Sequence, residues 1–175
     1  TISSITSMKP RDQELVIEMS NVQLRKYDLL LKGGRLIDPA FDIDGHFDVA
    51  TSGGHIALVD KDISTSLANT VADVSGLVVT PGLVDLHAHF YGYFGAIFPD
   101  AHCLPEGTTT AVDAGGSGHL TFDDFNEQVI APATTNVFAL LNIAGEGMVG
   151  EPEQDLDGMD SELTALKIAQ RPDLI

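Results

Sequence analysis

Two patterns in the sequence predict an α/β chain in which a small β domain precedes parallel βαβ units. Residues 27–78 carry short apolar runs punctuated by Gly-Gly pairs, the pattern of hairpin strands. From Val79 onward, runs of strand length alternate with stretches of helical period, and that order signals a parallel sheet with crossover helices. A chain of 175 residues can hold one domain with a real core, or a small domain plus part of a larger one.

Residues 1–26 read as an extension, polar at first and mildly apolar from Leu15 to Leu24, where a short helix or strand is expected. Tyr27 to Lys32, Gly33-Gly34 and Arg35 to Pro39 then read as strand, turn and strand, a hairpin. A second hairpin runs from His46 to Thr51, through Ser52-Gly53-Gly54, to His55 to Val59. His46 and His55 lie at or beside turns and are expected on the surface. Leu77 to Thr80 supplies one more apolar strand.

After the Pro81-Gly82 turn comes Leu83, Val84, Leu86 and Phe90 interleaved with two histidines two positions apart. In a strand alternate residues point the same way, so His87 and His89 project from one face and Leu86, Ala88 and Phe90 from the other. Two imidazoles on one face can share a metal ion. A strand that is apolar on its other face is expected to bury both rings, which then need partners. Asp85 shares their parity, placing its carboxylate to ligate or to accept a hydrogen bond that orients a ligand. The plain alternative is a chance pair of histidines.

Tyr91 to Gly95 is an aromatic, glycine-rich loop. Pro99 to Pro105 holds a short helix with a surface His102 and a buried Cys103. Thr108 to Val112 is a β-branched strand ending in a glycine-rich loop through Gly118, in which Asp113 could cap the next turn. That loop lacks the Gly-Lys-Ser/Thr of a phosphate cradle. Thr121 starts a helix with an apolar stripe of Phe122, Phe125, Val129 and Ile130, stopped by Pro132. Asn136 to Ile143 reads as a buried strand, with Glu146 in the solvated loop beyond it. Asp160 to Ala169 is an amphipathic helix with Asp or Ser at its start.

A net charge of −17 with nine Lys plus Arg argues against nucleic acid or an anionic membrane as partner. The one cysteine forms no intrachain disulfide, no run has transmembrane length, and the first 25 residues lack a signal-peptide core, so a reducing, cytoplasmic setting is expected.

Val79-Thr80-Pro81-Gly82-Leu83-Val84-Asp85-Leu86-His87-Ala88-His89 resembles the PG-(hydrophobic)2-D-x-H-x-H signature of the amidohydrolase superfamily, in its dihydroorotase-like and deacetylase-like branch. Gly107-Thr108-Thr109-Thr110-Ala111-Val112-Asp113-Ala114-Gly115 resembles the second barrel strand of the same family. The resemblance covers roughly Tyr27 to Ile175. It implies the first part of a (β/α)8 TIM-type barrel, incomplete in this chain, over residues 79–175, with three βα units. A small β-sandwich-like domain over 27–78 precedes it. It implies one or two divalent metal ions, zinc above all, held by His87 and His89, with Asp85 behind them and Tyr91, Asp113 and Ser117 on the substrate side. The chemistry implied is hydrolysis of an amide, cyclic amide or N-acyl bond in a small molecule by metal-activated water, in a complete protein expected to be a homo-oligomer.

The family's remaining ligands, a lysine or glutamate, two histidines and a late aspartate, belong to strands beyond these three, so no catalytic acid or base is expected in this chain. Lys167 lies in the final helix pattern and is not that lysine. The 175-residue segment alone is therefore expected to be inactive and to bind metal weakly. The alternative is an inactive fragment or a non-enzymatic relative with a binding or assembly role.

Overall fold

The structure, a computed structural model, describes residues 25–175. The element expected over Leu15 to Leu24 lies outside the described residues. The chain divides into two compact units, one ending at Pro81 and the other spanning Gly82–Ile175.

The first unit contains β1 (Tyr27–Lys32), β2 (Arg35–Asp38), β3 (Ile43–His46), β4 (Asp48–Ser52), β5 (His55–Asp60), β6 (Ala68–Asp73) and β7 (Val78–Val79). They form a four-stranded sheet of order β5-β4-β1-β6 and a three-stranded sheet of order β3-β2-β7. The β4–β5 hairpin forms as its sequence predicts: Ser52 pairs with His55 across Gly53 and Gly54, whose φ values of 59° and 78° suit a two-residue hairpin loop. The first expected hairpin does not form. Both edges of β1 are taken, by β4 antiparallel and by β6 parallel, so β2 pairs instead with β3 and β7 in the other sheet. The β2–β3 turn is closed by Asp38, whose carboxylate accepts the Ala40 N–H. Neither strand is signalled by the sequence: β3 has four mostly polar residues, and β6 mixes polar and apolar residues without a clear apolar run.

Leu30, Ala50, Tyr27, Ile63 and Ala68 make the core of this unit. Beside it, Asp48 is 2 % exposed and fully engaged. Its carboxylate accepts from the Lys32 ammonium at 2.7 Å and from the N–H groups of Gly33 and Ile63 at 2.8 Å each. Burial pushes the Asp48 pKa up, but Lys32 and the two N–H groups outweigh it and hold the carboxyl below its usual range.

The second unit contains β8 (Leu83–Ala88), α1 (Pro99–His102), β9 (Thr108–Gly118), α2 (Phe122–Phe125), β10 (Asn136–Asn142) and α3 (Ser161–Gln170). β8, β9 and β10 form a parallel sheet of order β10-β9-β8, the arrangement that the strand and helix alternation predicts. α2 runs on into a π-helical turn, Asn126–Ile130. Phe122, Phe125, Ala111, Ala88, Phe90 and Cys103 are the heart of the core. The expected Cys103 burial is thus present, and His102 is exposed.

Several elements differ from expectation. β9 continues through Gly118, so its glycines sit inside the strand rather than in a loop. β10 is not buried on both faces: Val137 and Ala139 are buried, whereas Phe138 and Leu140 are 41 % and 60 % exposed. Thr121 does not cap α2; its hydroxyl accepts the Gly118 N–H and donates to the Glu146 carbonyl, fastening two loops. Asp160 does cap α3, accepting the N–H groups of Glu162 and Leu163. Lys167, on α3, pairs with Asp123 at 2.9 Å.

Asp100, in the first turn of α1, fastens that helix to the chain entering β10. It accepts from the N–H groups of Thr134 and Thr135 and from the Thr135 hydroxyl, each at 2.8 Å. These donors lower its pKa to about 2. The unfolded value is about 3.9. The contribution of Asp100 to stability is therefore complete above about pH 4 and disappears as the pH falls toward 2.

Asp48→Ala is expected to destabilise the first unit by about 2–4 kcal/mol, because it strands two N–H groups and removes a cation's buried partner; urea unfolding followed by circular dichroism measures it. Asp100→Asn is expected to flatten the loss of thermal stability between pH 4 and pH 2, and an unchanged acid limb would contradict the role given to Asp100.

Candidate metal and substrate site

All three parallel strands of the second unit deliver loops at their carboxyl ends to one place. Gly92 follows β8, Gly116 lies near the end of β9, and Gly147 follows β10. A Cβ at Gly92 or at Gly147 would overlap the Gly116 carbonyl, and both residues have positive φ, so glycine is what allows the approach. The Met148 N–H donates to that same carbonyl at 3.1 Å.

His87 is in β8, and His89 lies one residue past its end. The two rings stand 5.2 Å apart between centroids, nearly perpendicular. The expected burial of both rings does not occur: His87 is exposed and His89 is partly exposed. Leu86 is 71 % exposed, and β8 pairs on one edge alone among the described residues, which leaves the His87 end of the strand open. Asp85 accepts the backbone N–H of His87 at 3.0 Å, so it steadies the strand rather than an imidazole.

The Nδ1 atom of His89 is buried without a hydrogen-bond partner among the described residues. A neutral imidazole nitrogen in that condition is a competent metal donor, and the neighbouring His87 ring offers a second. Two donors fit a divalent ion in chemistry and fall short of the three protein ligands usual for catalytic zinc. Among the described residues no group of three His, Cys, Asp or Glu side chains converges.

Asp113 is completely buried, and its carboxylate faces backbone rather than an open pocket. It accepts the Phe90 N–H at 2.7 Å and the Gly116 N–H at 2.6 Å. Burial raises its pKa, with those N–H groups and the nearby His89 pulling the other way. The expected turn-capping role is thus present, with a cross-strand bond to Phe90 added. Ser117 is also completely buried, and its hydroxyl has no hydrogen-bond partner among the described residues.

Tyr91 leans into the core, its ring 5.1 Å from that of Phe125. Burial, with a smaller effect of Asp124, raises its pKa. Its other side lines an open cavity of about 670 Å³, together with Tyr93, Phe94, Thr121, Val149 and Gly150. Tyr93 connects this cavity to the histidines, with its ring edge-on to His89 at 5.7 Å. The sequence marks Tyr93 only as an aromatic four positions beyond His89, a pattern too common to single out. His119, which no motif marks, has its Nδ1 buried without a partner among the described residues. His46, His55 and Glu146 are exposed.

Asp113→Ala is expected to destabilise the second unit by about 2–5 kcal/mol, since two buried N–H groups lose their acceptor. Asp113→Asn, which keeps one acceptor oxygen, is expected to cost less than half as much. Thermal unfolding of both variants checks the ordering.

No protein-family model matches the chain. A deacetylase of Enterococcus faecalis is 31 % identical over 152 residues, covering 85 % of this chain and 40 % of that protein. A dihydroorotase of Geobacter sulfurreducens is 44 % identical over 62 residues, covering 35 % of this chain and 15 % of its own length. The chain therefore spans less than half the length of these relatives. Among solved structures, an adenine deaminase matches with a TM-score of 0.71 at 31 % identity, covering 85 % of this chain and 40 % of that one. A dihydroorotase matches with a TM-score of 0.70 at 28 % identity, covering 84 % and 40 %. A D-aminoacylase described with a binuclear metal center matches with a TM-score of 0.50 at 26 % identity, covering 66 % and 29 %. With sequence and backbone in agreement, the chain belongs to the amidohydrolase superfamily, matching the amino-terminal portion of its members.

Proposed function

We propose that this chain is the metal-bearing amino-terminal part of a hydrolase that cleaves an amide, cyclic amide or N-acyl bond of a small molecule. The observation that carries the reading is the His87–His89 pair at the carboxyl end of β8, with the His89 Nδ1 atom buried and unpartnered. The carboxyl ends of barrel strands are where such folds place their chemistry, and the structural neighbours support reading β8, β9 and β10 as the first three strands of a barrel.

A divalent ion held there, zinc by preference, would lower the pKa of a bound water to about 7 and would polarise a substrate carbonyl. His87 and His89 are the residues that would hold it. Asp113 fixes the backbone beside His89 through Phe90, and Tyr93 stands edge-on to the His89 ring. The single cysteine is buried and suits a cytoplasmic enzyme. No helix among the described residues is long and apolar enough to cross a membrane.

In the complete protein, His87→Ala and His89→Ala are each expected to lower bound zinc and to reduce amide hydrolysis on the order of 100-fold or more. Metal analysis with a chromogenic N-acyl substrate measures both, and unchanged metal content in both variants would remove the pair as ligands. The 175-residue chain alone, supplied with zinc, is expected to show no robust hydrolysis, since it offers two ligands.

A further inference from the structure

We propose that the cavity over the carboxyl ends of β8, β9 and β10 receives an uncharged, apolar acyl group of the substrate. The inference rests on the hydrolase reading and adds the class of group that binds beside the metal pair. Its volume of about 670 Å³ lies within the roughly 300–1,000 Å³ usual for small-molecule sites. Phe94, on its rim, is fully exposed, and Tyr93 is 42 % exposed. Large aromatic surface left in water gains from an apolar occupant in proportion to the area covered.

Position and charge narrow the occupant. Because Tyr93 lines the cavity and also abuts His89 at 5.7 Å, a scissile carbonyl held at the histidines directs its acyl chain across Tyr93 toward Phe94 and Val149. Between Gly82 and Ile175 there are fifteen acidic side chains and two basic ones, Lys167 and Arg171. Both bases are already paired, with Asp123 and Asp173. An anionic acyl group thus finds no cationic side chain among the described residues lining the cavity. A cationic one finds no carboxylate among the lining residues to accept it. A neutral hydrocarbon or aryl chain meets neither cost.

Ligand-detected NMR titration of the complete protein with hexanamide, succinamate and β-alaninamide tests this without turnover. Hexanamide is expected to bind about tenfold more tightly than either charged amide. Phe94→Ala is expected to weaken hexanamide about threefold or more, near the effect of one buried methylene. Phe94→Arg is expected to shift the preference toward succinamate. Since Phe94 is fully exposed, neither substitution removes a core contact. Equal or tighter binding of a charged amide, or hexanamide binding that is absent or indifferent to Phe94, would overturn the proposal. Retained hexanamide selectivity in a protein that hydrolyses no N-acyl amide would instead reject the hydrolase reading alone.

Discussion

The buried carboxylate of Asp113 joins the strand ends on which the candidate site is built. One oxygen takes the N–H of Phe90, the residue after His89, and the other takes the N–H of Gly116. The Gly116 carbonyl in turn accepts the Met148 N–H from the loop beyond β10. This acceptor thus ties the chain after β8 to the end of β9, and the Gly116 carbonyl extends the connection to the loop beyond β10, with such bonds stronger in the low-dielectric core than in water. Without it, two buried N–H groups would be orphaned and the chain just after His89 would lose its fixed path.

Much of this was legible beforehand, and the reasons differ by element. The β4–β5 hairpin was readable because Gly-Gly in a two-residue loop is a local requirement. The parallel order of β8, β9 and β10 followed from apolar runs alternating with helical stretches. The motif around His87 and His89 carries the family, and the relatives, matched over most of the chain, agree with it. The partner of β1 was not readable, because pairing depends on which distant strands reach its edges, here β4 and β6. The exposure of Leu86, Phe138 and Leu140 was hidden for a similar reason: apolar character states what a side chain would gain from a neighbour, and not whether one is there.

The site residues divide along the same line. Asp113 was identified as a position of interest, but its role is to accept backbone N–H groups from two strands, a relation that no local pattern reports. Tyr91 and Tyr93 are two residues apart in one loop, yet Tyr91 packs on Phe125 while Tyr93 meets His89. Loop geometry separates them, with Gly92 at a φ of 96° between the two. The acidic composition, which at first excluded only polyanionic partners, acquires a local meaning once the two bases of the second unit are seen to be paired.

The central claim is that His87 and His89 together hold a metal ion. Anomalous X-ray diffraction at the zinc edge, from crystals of the complete protein grown with zinc, tests it most directly. The account requires an anomalous peak about 2.0–2.1 Å from a ring nitrogen of each histidine. Zinc bound elsewhere, with both imidazoles free of it, would contradict the account.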